Sequence, residues 1–148
     1  VTADVAVFGE KDYQQLIIVK RMVRDLYLST EIVGAATVRE IDGLALSSRN
    51  SYLGEFHRAC APGLYRILTD LAEGVSGGER DYEKVEKVAM TSLRELSFEP
   101  DYVSVRNALD LSPAIADETE LIVLGAAWLD NTRLIDNVRV NLPSRGKV

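Results

Sequence analysis

Two short apolar segments separated by one amphipathic helix constrain this chain more than any other feature of its sequence. Residues 5–8 are β-prone and end at Gly9, and residues 31–36 form a second run of this kind. Between them, residues 13–27 carry apolar side chains at helical spacing: Leu16, Val19, Val23 and Leu26, widened by Ile18 and Met22. This order predicts a right-handed unit with two parallel strands. Parallel sheets are normally covered on both faces, so we expect the neighbouring strands to lie N-terminal to residue 1.

The middle of the chain predicts helices. An irregular stretch at residues 37–54 leads into a helical segment at residues 55–73. Pro62 is expected to interrupt that segment, because proline removes a backbone hydrogen bond. Asp81 can cap a further helix, and Pro100 is expected to end the helical region.

Three segments near the C-terminal end have β-strand patterns: residues 102–107, 121–129 and 133–142. Alternation in the first segment places Val103 and Val105 on one face. The continuous apolar run of the second predicts a central strand, with Trp128 in the core. Asp130 and Asp136 are interpreted as turn and strand-edge residues. Short connections favour an antiparallel three-stranded sheet with helices on one side.

The predicted fold class is therefore α/β, with an incomplete parallel lobe followed by a small α+β lobe. We place the first domain at residues 1–51, the second at residues 52–142, and a flexible tail at residues 143–148.

Composition excludes several classes of partner. The net charge of -6 argues against a nucleic-acid binder, which would show a basic surface. The apolar runs are too short to span a membrane. Cys60 is the only cysteine, which predicts a reducing, cytoplasmic setting and no disulfide. No His or Cys residues have zinc-ligand spacing, so no metal site is predicted from this chain.

The first candidate site is the turn between the first strand and the first helix, at Gly9, Lys11, Asp12 and Gln15. Ligands of open parallel sheets bind at the carboxyl ends of strands, and a helix N-terminus favours an anion. Lys11 suits a phosphate, and Asp12 can accept hydrogen bonds from ribose hydroxyls. Asp12 and Gln15 also have the spacing of a capping box. A capped turn with a solvated lysine is the alternative interpretation.

The second candidate site is the loop at residues 43–50, which contains Ser47, Ser48 and Arg49. Two adjacent hydroxyls and a guanidinium can surround a polyphosphate, because arginine presents a fork of donors that matches phosphate oxygens. A serine-rich loop with a surface arginine is the alternative interpretation. His57 has no nucleophile beside it in the sequence and is interpreted as a surface or packing residue.

Four strings occur in this order: FGEKDYQQL, VREIDGLALSSRNSYL, CAPGLYRIL and AAWLDNTRLIDNV. Together they closely resemble the pantothenate synthetase family, over residues 4–142 and as its C-terminal half only. The resemblance implies that the parallel lobe is the C-terminal part of a Rossmann-like nucleotidyl-transferase domain that binds ATP and pantoate. It also implies that the α+β lobe is a lid, with a hinge at residues 49–54.

The family joins pantoate to β-alanine in two steps. ATP and pantoate form a pantoyl adenylate and release pyrophosphate, and the amine of β-alanine then displaces AMP. Mg²⁺ offsets the phosphate charge. By resemblance, Gly9 and Asp12 contact the ribose, Lys11 contacts the α- and β-phosphates, and Gln15 binds pantoate.

The second string supplies the remaining roles that the resemblance implies. The backbone at Val38 and Leu46 meets adenine, while Ser47, Ser48 and Arg49 hold the phosphates as the counterpart of the KMSKS signature. Ser47, Ser48 and Arg49, with Lys11, are the predicted catalytic residues.

The half of the family that is missing here carries a histidine motif, a second pantoate glutamine and the acidic residues near Mg²⁺. We therefore expect about half an active site, no ligase activity from this chain alone, and a homodimer in the intact enzyme. The alternatives are another adenylate-forming nucleotidyl transferase, or an inactive structural or dimerisation fragment.

Overall fold

A computed structural model, which describes residues 3–143, shows two compact units. The first unit ends at Val38 and the second begins at Arg39. Packing thus assigns residues 39–51 to the second unit, whereas the domain boundary between residues 51 and 52 remains a prediction about the intact protein. The predicted flexible tail falls mainly on residues 144–148, which lie outside the described residues.

The first unit has the predicted strand, helix and strand. Strand β1 is Val5–Gly9, helix α1 is Tyr13–Asp25, and strand β2 is Glu31–Ala35. The two strands are parallel, with residues paired from Val5 opposite Glu31 to Gly9 opposite Ala35. This confirms the parallel unit.

Helix α1 packs on the sheet through a narrower stripe than expected. Leu16 is fully buried, and a Cβ added at Gly34 would lie 3.2 Å from its Cδ2 atom, so glycine permits the close approach. The expectation that Ile18 and Met22 widen the packed stripe is wrong, because both are exposed. Ile18 follows Leu16 by two positions and therefore lies on the opposite side of the helix.

The second unit begins with a loop, a 3₁₀ helix and three α-helices. The 3₁₀ helix is Ser48–Tyr52, and the α-helices are α2 Glu55–Cys60, α3 Gly63–Ser76 and α4 Tyr82–Glu95. Pro62 separates α2 from α3, as predicted. The Asp81 carboxylate caps α4 by accepting a 3.1 Å hydrogen bond from the Lys84 amide, which confirms its predicted role.

Three antiparallel strands complete this unit: β3 Glu99–Asn107, β4 Glu120–Leu129 and β5 Thr132–Asn141. The order β3-β4-β5 confirms that β4 is central. Pro100 does not end the helical region but lies inside β3, where the register shifts before Tyr102. Such an irregularity lets an edge strand accommodate a residue that has no backbone N–H. Asp130 occupies the turn between β4 and β5 with a φ of 51°, as predicted.

The core of the second unit lies between the sheet and helices α3 and α4. Val103 and Val105 both face it, as predicted. Gly125 lets α3 approach the central strand, because a Cβ at that position would lie 2.9 Å from Leu68 Cδ2. The prediction that Trp128 belongs to the core is wrong: its side chain is 39% exposed. Successive residues point to opposite faces of a strand, and the buried face is taken by Ala127 and Leu129.

Candidate functional site

The turn after β1 presents one group of predicted site residues. Gly9, Asp12 and Gln15 are exposed there, and Lys11 is half-buried. The Glu10 amide donates a 2.8 Å hydrogen bond to the Ala35 carbonyl, which fixes the start of the turn against β2. A Cβ added at Gly9 would meet no heavy atom of the described chain within 4 Å. The backbone here is therefore open to a ligand.

Asp12 is the N-cap residue of α1, but it does not act as a capping side chain. Its backbone has φ -85° and ψ 64°, and its carboxylate makes no capping hydrogen bond. The predicted capping box is therefore wrong, although Asp81 caps α4 with nearly the same backbone angles. The Asp12 carboxylate thus remains exposed. The first turn of α1 carries no acidic residue, so its amides keep their preference for an anionic ligand.

The second group lies in the loop that leads into the 3₁₀ helix. Ser47 is extended, and its Oγ atom accepts a 3.2 Å hydrogen bond from the Arg49 amide. The Asn50 amide donates to the Ser47 carbonyl at 3.1 Å. The Asn50 side-chain Nδ2 donates to the Ala45 carbonyl at 3.0 Å. These bonds hold the backbone on both sides of Ser48 in one conformation.

The side chains of Ser48 and Arg49 project from this loop. Both residues are exposed, and neither side chain makes a hydrogen bond or ion pair with another residue among residues 3–143. An exposed guanidinium on an ordered backbone can bind a phosphate without first breaking an internal ion pair. We refer to Ser47, Ser48 and Arg49 as the serine–arginine segment.

Two ion pairs fix the base of this loop. Arg39 binds Asp136 on β5, and Arg58 binds Asp42 at 2.6 Å. Burial lowers the pKa of Arg39, but the hydrogen bond and charge of Asp136 more than offset it, so the pKa is raised. The hydrogen bond from Arg58 lowers the pKa of Asp42.

Sequence reasoning missed the role of Arg39 and the burial of Asp136. The two residues are separated by 97 positions, so no local pattern connects them. Asp136 does lie on an edge strand, as predicted, but it is also one of the few buried polar side chains of the described chain.

Arg49 also lines a cavity of about 650 Å³ within the second unit. Trp128 and His57 contribute to the same wall. His57 is half-buried and packs edge-on against the adjacent Phe56 ring at 5.4 Å, as expected for a packing residue. Cys60 is half-buried beside the core, rather than within it.

The residues predicted to meet adenine are both exposed. Val38 ends the first unit, and Leu46 immediately precedes the serine–arginine segment in the second. The structure thus groups Gly9, Lys11, Asp12 and Gln15 in one unit, and Leu46 with the serine–arginine segment in the other.

Within residues 3–143, no three His, Cys, Asp or Glu side chains are placed to hold a metal ion. No helix of that part of the chain is both long enough and apolar enough to cross a bilayer.

The order of elements defines an α/β chain, a parallel strand–helix–strand unit followed by an α+β unit with an antiparallel sheet. The family model of pantoate-beta-alanine ligase matches residues 1–139. The chain therefore belongs to the pantoate–β-alanine ligase family, which confirms the resemblance seen in the sequence.

Individual relatives agree with this assignment. The chain is 54% identical over 142 residues to the pantothenate synthetase of Ectopseudomonas mendocina (strain ymp), covering 96% of this chain and 50% of the relative. It is 49% identical over 139 residues to that of Azotobacter vinelandii, covering 94% and 49%. The chain thus spans about half the length of the curated relatives it matches.

Solved structures show the same fold. The pantothenate synthetase of Thermus thermophilus superposes with a TM-score of 0.87 at 42% identity, over 97% of this chain and 51% of that one. The pantoate-beta-alanine ligase of Francisella tularensis, solved with β-γ ATP and β-alanine, superposes with a TM-score of 0.63 at 24% identity. That match covers 93% of this chain and 44% of the other.

Proposed function

We propose that this chain supplies the C-terminal half of an ATP-dependent ligase that joins pantoate to β-alanine. In the first step, a pantoate carboxylate oxygen attacks the α-phosphorus of ATP and pyrophosphate leaves. In the second step, the amine of β-alanine attacks the acyl carbon and AMP leaves. Membership of the pantoate–β-alanine ligase family supports this reaction, and so do the names of the matched relatives.

The turn after β1 would bind the ribose, the phosphates and pantoate. Gly9 and Asp12 take the ribose, and the open space beside Gly9 supports this role. Lys11 contacts the α- and β-phosphates and stabilises the charge that develops during adenylation. The exposed amide of Gln15 hydrogen-bonds pantoate.

The serine–arginine segment would hold the ATP phosphates. Its two hydroxyls and the Arg49 guanidinium present donors from a hydrogen-bonded loop, so little reorganisation is needed on binding. The backbone at Val38 and Leu46 would meet adenine. Mg²⁺ would neutralise phosphate charge when bound, and its ligands would come mainly from the N-terminal half of the intact enzyme.

One observation carries this proposal: Arg49 projects from an ordered loop, with no ion pair to any residue of the described part of the chain, and this chain belongs to the ligase family.

The direct test restores a complete enzyme. The unmatched N-terminal half of the Ectopseudomonas mendocina relative is fused to this chain, and pantothenate and AMP formation are measured with ATP, pantoate and β-alanine. We expect turnover by the fused protein and none by the 148-residue chain alone. Robust turnover by the chain alone would refute the claim that it supplies half a site.

Substitution of Arg49 in the fused protein tests its role. We expect Arg49→Ala to lower kcat by about 10²–10³-fold, the usual cost of removing one transition-state donor. Arg24→Ala is the matched control, because Arg24 is an exposed arginine near the end of α1 and no role in binding is proposed for it. Equal rates for both variants would contradict the assignment.

A pyrophosphate–ATP exchange assay with pantoate and with other acids separates the alternative functions. An adenylate-forming enzyme of different specificity would exchange pyrophosphate into ATP with another acid but not with pantoate. A structural or dimerisation fragment would give no exchange with any acid, even in the fused protein.

We further propose that the α+β unit acts as a lid that protects the adenylate from water. A lid defect would release AMP without forming an equal amount of pantothenate. We also propose a cytoplasmic homodimer for the intact enzyme. Sedimentation of the fused protein at its monomer mass would contradict the dimer.

A further inference from the structure

A largely buried ion pair joins the loop at residues 39–45 to the sheet of the second unit. Arg39 Nη1 lies 2.6 Å from Asp136 Oδ2, and Nη2 lies 2.9 Å from Oδ1. The side chains are only 19% and 4% exposed. The guanidinium carbon also lies 3.6 Å from the centre of the Tyr65 ring on α3. Arg39 is thus oriented by a two-pronged ion pair and an aromatic face.

The same guanidinium holds the turn of a small hairpin. Arg39 Nη1 donates a 3.1 Å hydrogen bond to the Gly43 carbonyl. Arg39 forms an antiparallel bridge with Ala45, and the Glu40 amide donates to the Leu44 carbonyl at 2.8 Å. We call residues 39–45 the anchored hairpin.

Gly43 lets the hairpin pack closely against Tyr65 of α3. Its φ is 94°, a conformation that side chains disfavour, and an added Cβ would lie 3.1 Å from the Tyr65 ring. The hairpin therefore has one close-packed position, set by Tyr65, Arg39 and Asp136.

The anchored hairpin leads directly to the serine–arginine segment. Only Leu46 separates Ala45 from Ser47, and the Asn50 side chain ties the 3₁₀ helix back to the Ala45 carbonyl. A shift of Ala45 would consequently carry Ser47 and Arg49 with it.

Stability alone does not explain a buried ion pair in this place. Two charges lose hydration on burial, and replacing such a pair with apolar residues of similar volume is often neutral or stabilising. An ion pair does, however, select one geometry, because two parallel hydrogen bonds fix direction as well as distance.

We infer that Arg39 and Asp136 are positioning residues, which lock the anchored hairpin onto β5 and thereby set the location of the Ser47–Arg49 backbone. The effect of this ion pair on catalysis rests on the proposed function, whereas its effect on the loop geometry does not. Neither residue touches substrate in this inference.

The first test measures amide hydrogen exchange by NMR on the 148-residue chain, with no need for activity. The reporting amides are those bonded in or beside the hairpin: Glu40, Gly43, Leu44 and Asn50. The decisive variant is Arg39→Met with Asp136→Leu, which removes both charges together and avoids leaving one buried charge unpaired.

We expect exchange of the reporting amides to accelerate by at least about tenfold, or about 1.4 kcal/mol of local opening free energy. The urea midpoint and the exchange of amides in α3 and β4 should stay unchanged. Unchanged exchange at the reporting amides would overturn the inference. If the double variant does not fold, Arg39→Lys decides: lysine keeps the charge but cannot form both hydrogen bonds, so faster hairpin exchange is still expected.

Asp101→Asn is the matched control, because Asp101 also accepts two hydrogen bonds from one arginine, Arg133, but at the surface. It should leave the reporting amides unchanged. Acceleration by this control equal to that in the double variant would refute a specific role for the Arg39–Asp136 pair.

The second test uses the fused enzyme, where a positioning defect should lower kcat. A displaced catalytic group can cost about 10²-fold, so we expect kcat of Arg39→Lys to fall by about 10–100-fold while its urea midpoint remains near that of the parent. KM for β-alanine should not change. An unaltered kcat would refute the catalytic meaning. An inactive parent enzyme would instead refute the proposed function, and the exchange experiment would still decide the positioning.

Discussion

Gly125 on the central strand offers a quantitative test of how the second unit is packed. A Cβ at this position would lie 2.9 and 3.1 Å from the two Cδ atoms of Leu68, and 3.3 Å from Leu64 Cδ1. Real Cβ atoms do not approach that closely, and Leu68 is fully buried, so it has little room to move. Gly125→Ala therefore overpacks the interface between α3 and β4.

The expected loss follows from two opposing terms. Overpacking a close-packed core costs about 1–3 kcal/mol, while alanine reduces the entropy of the unfolded chain and returns about 0.4–1 kcal/mol. We expect a net loss of about 1–2 kcal/mol in the free energy of unfolding. With a urea m-value of about 2 kcal/mol per molar, the midpoint falls by about 0.5–1 M.

The assay is equilibrium urea unfolding of four chains: the parent, Gly125→Ala, Leu68→Ala, and the double variant. Leu68→Ala removes the atoms that clash, so the cost of Gly125→Ala should largely vanish in that background, with a coupling energy of at least about 1 kcal/mol. Gly74→Ala is the control, because a Cβ there meets no heavy atom of the described chain and should stabilise α3 by about 0.5–1 kcal/mol. An unchanged midpoint for Gly125→Ala, or an equal loss in both backgrounds, would refute the reasoning.

Three further predictions concern a helix cap, an ion pair and the solvent exposure of one side chain. Asp81→Ala removes the cap on the Lys84 amide and should cost about 1 kcal/mol in urea unfolding, whereas Asp81→Asn should restore most of it. The Asp42 pKa is lowered by its hydrogen bond from Arg58, so its stabilising effect is present above the unfolded value of 3.8 and is lost as pH falls through the lower folded value. Asp42→Asn should therefore flatten the acid limb of a stability–pH curve below about pH 4, and an unchanged limb would count against the ion pair. Trp128, the only tryptophan, should be quenched by acrylamide in the native chain, and resistance to quenching would show a buried ring.

Local patterns were sufficient for the elements and their order. The parallel pair, the break at Pro62, the cap at Asp81 and the central place of β4 were all predictable. Each depends on a few adjacent residues, or on a connection too short to permit another arrangement. The two candidate site segments were also visible as short strings, and family membership confirmed the resemblance that they carried.

Which side of a strand or helix is buried, and which groups a side chain contacts, were not predictable in the same way. A continuous apolar strand has no alternation, so nothing in residues 121–129 indicates that Trp128 points away from the core. Ile18 and Met22 satisfy the helical spacing but find no surface to pack on in the described chain. Asp12 has the residue type and the position of a cap, but its carboxylate makes no capping hydrogen bond, whereas Asp81 makes one with nearly the same backbone angles.

The sequence by itself determined the α/β order of this chain and the residue types available to bind a polyphosphate. Only the tertiary structure decided how the loop that presents Ser47 and Arg49 is held, because Arg39 finds Asp136 across 97 positions. Local propensity acts over a few residues, whereas a partner so distant is selected only when helices and sheet have packed and excluded water around both charges.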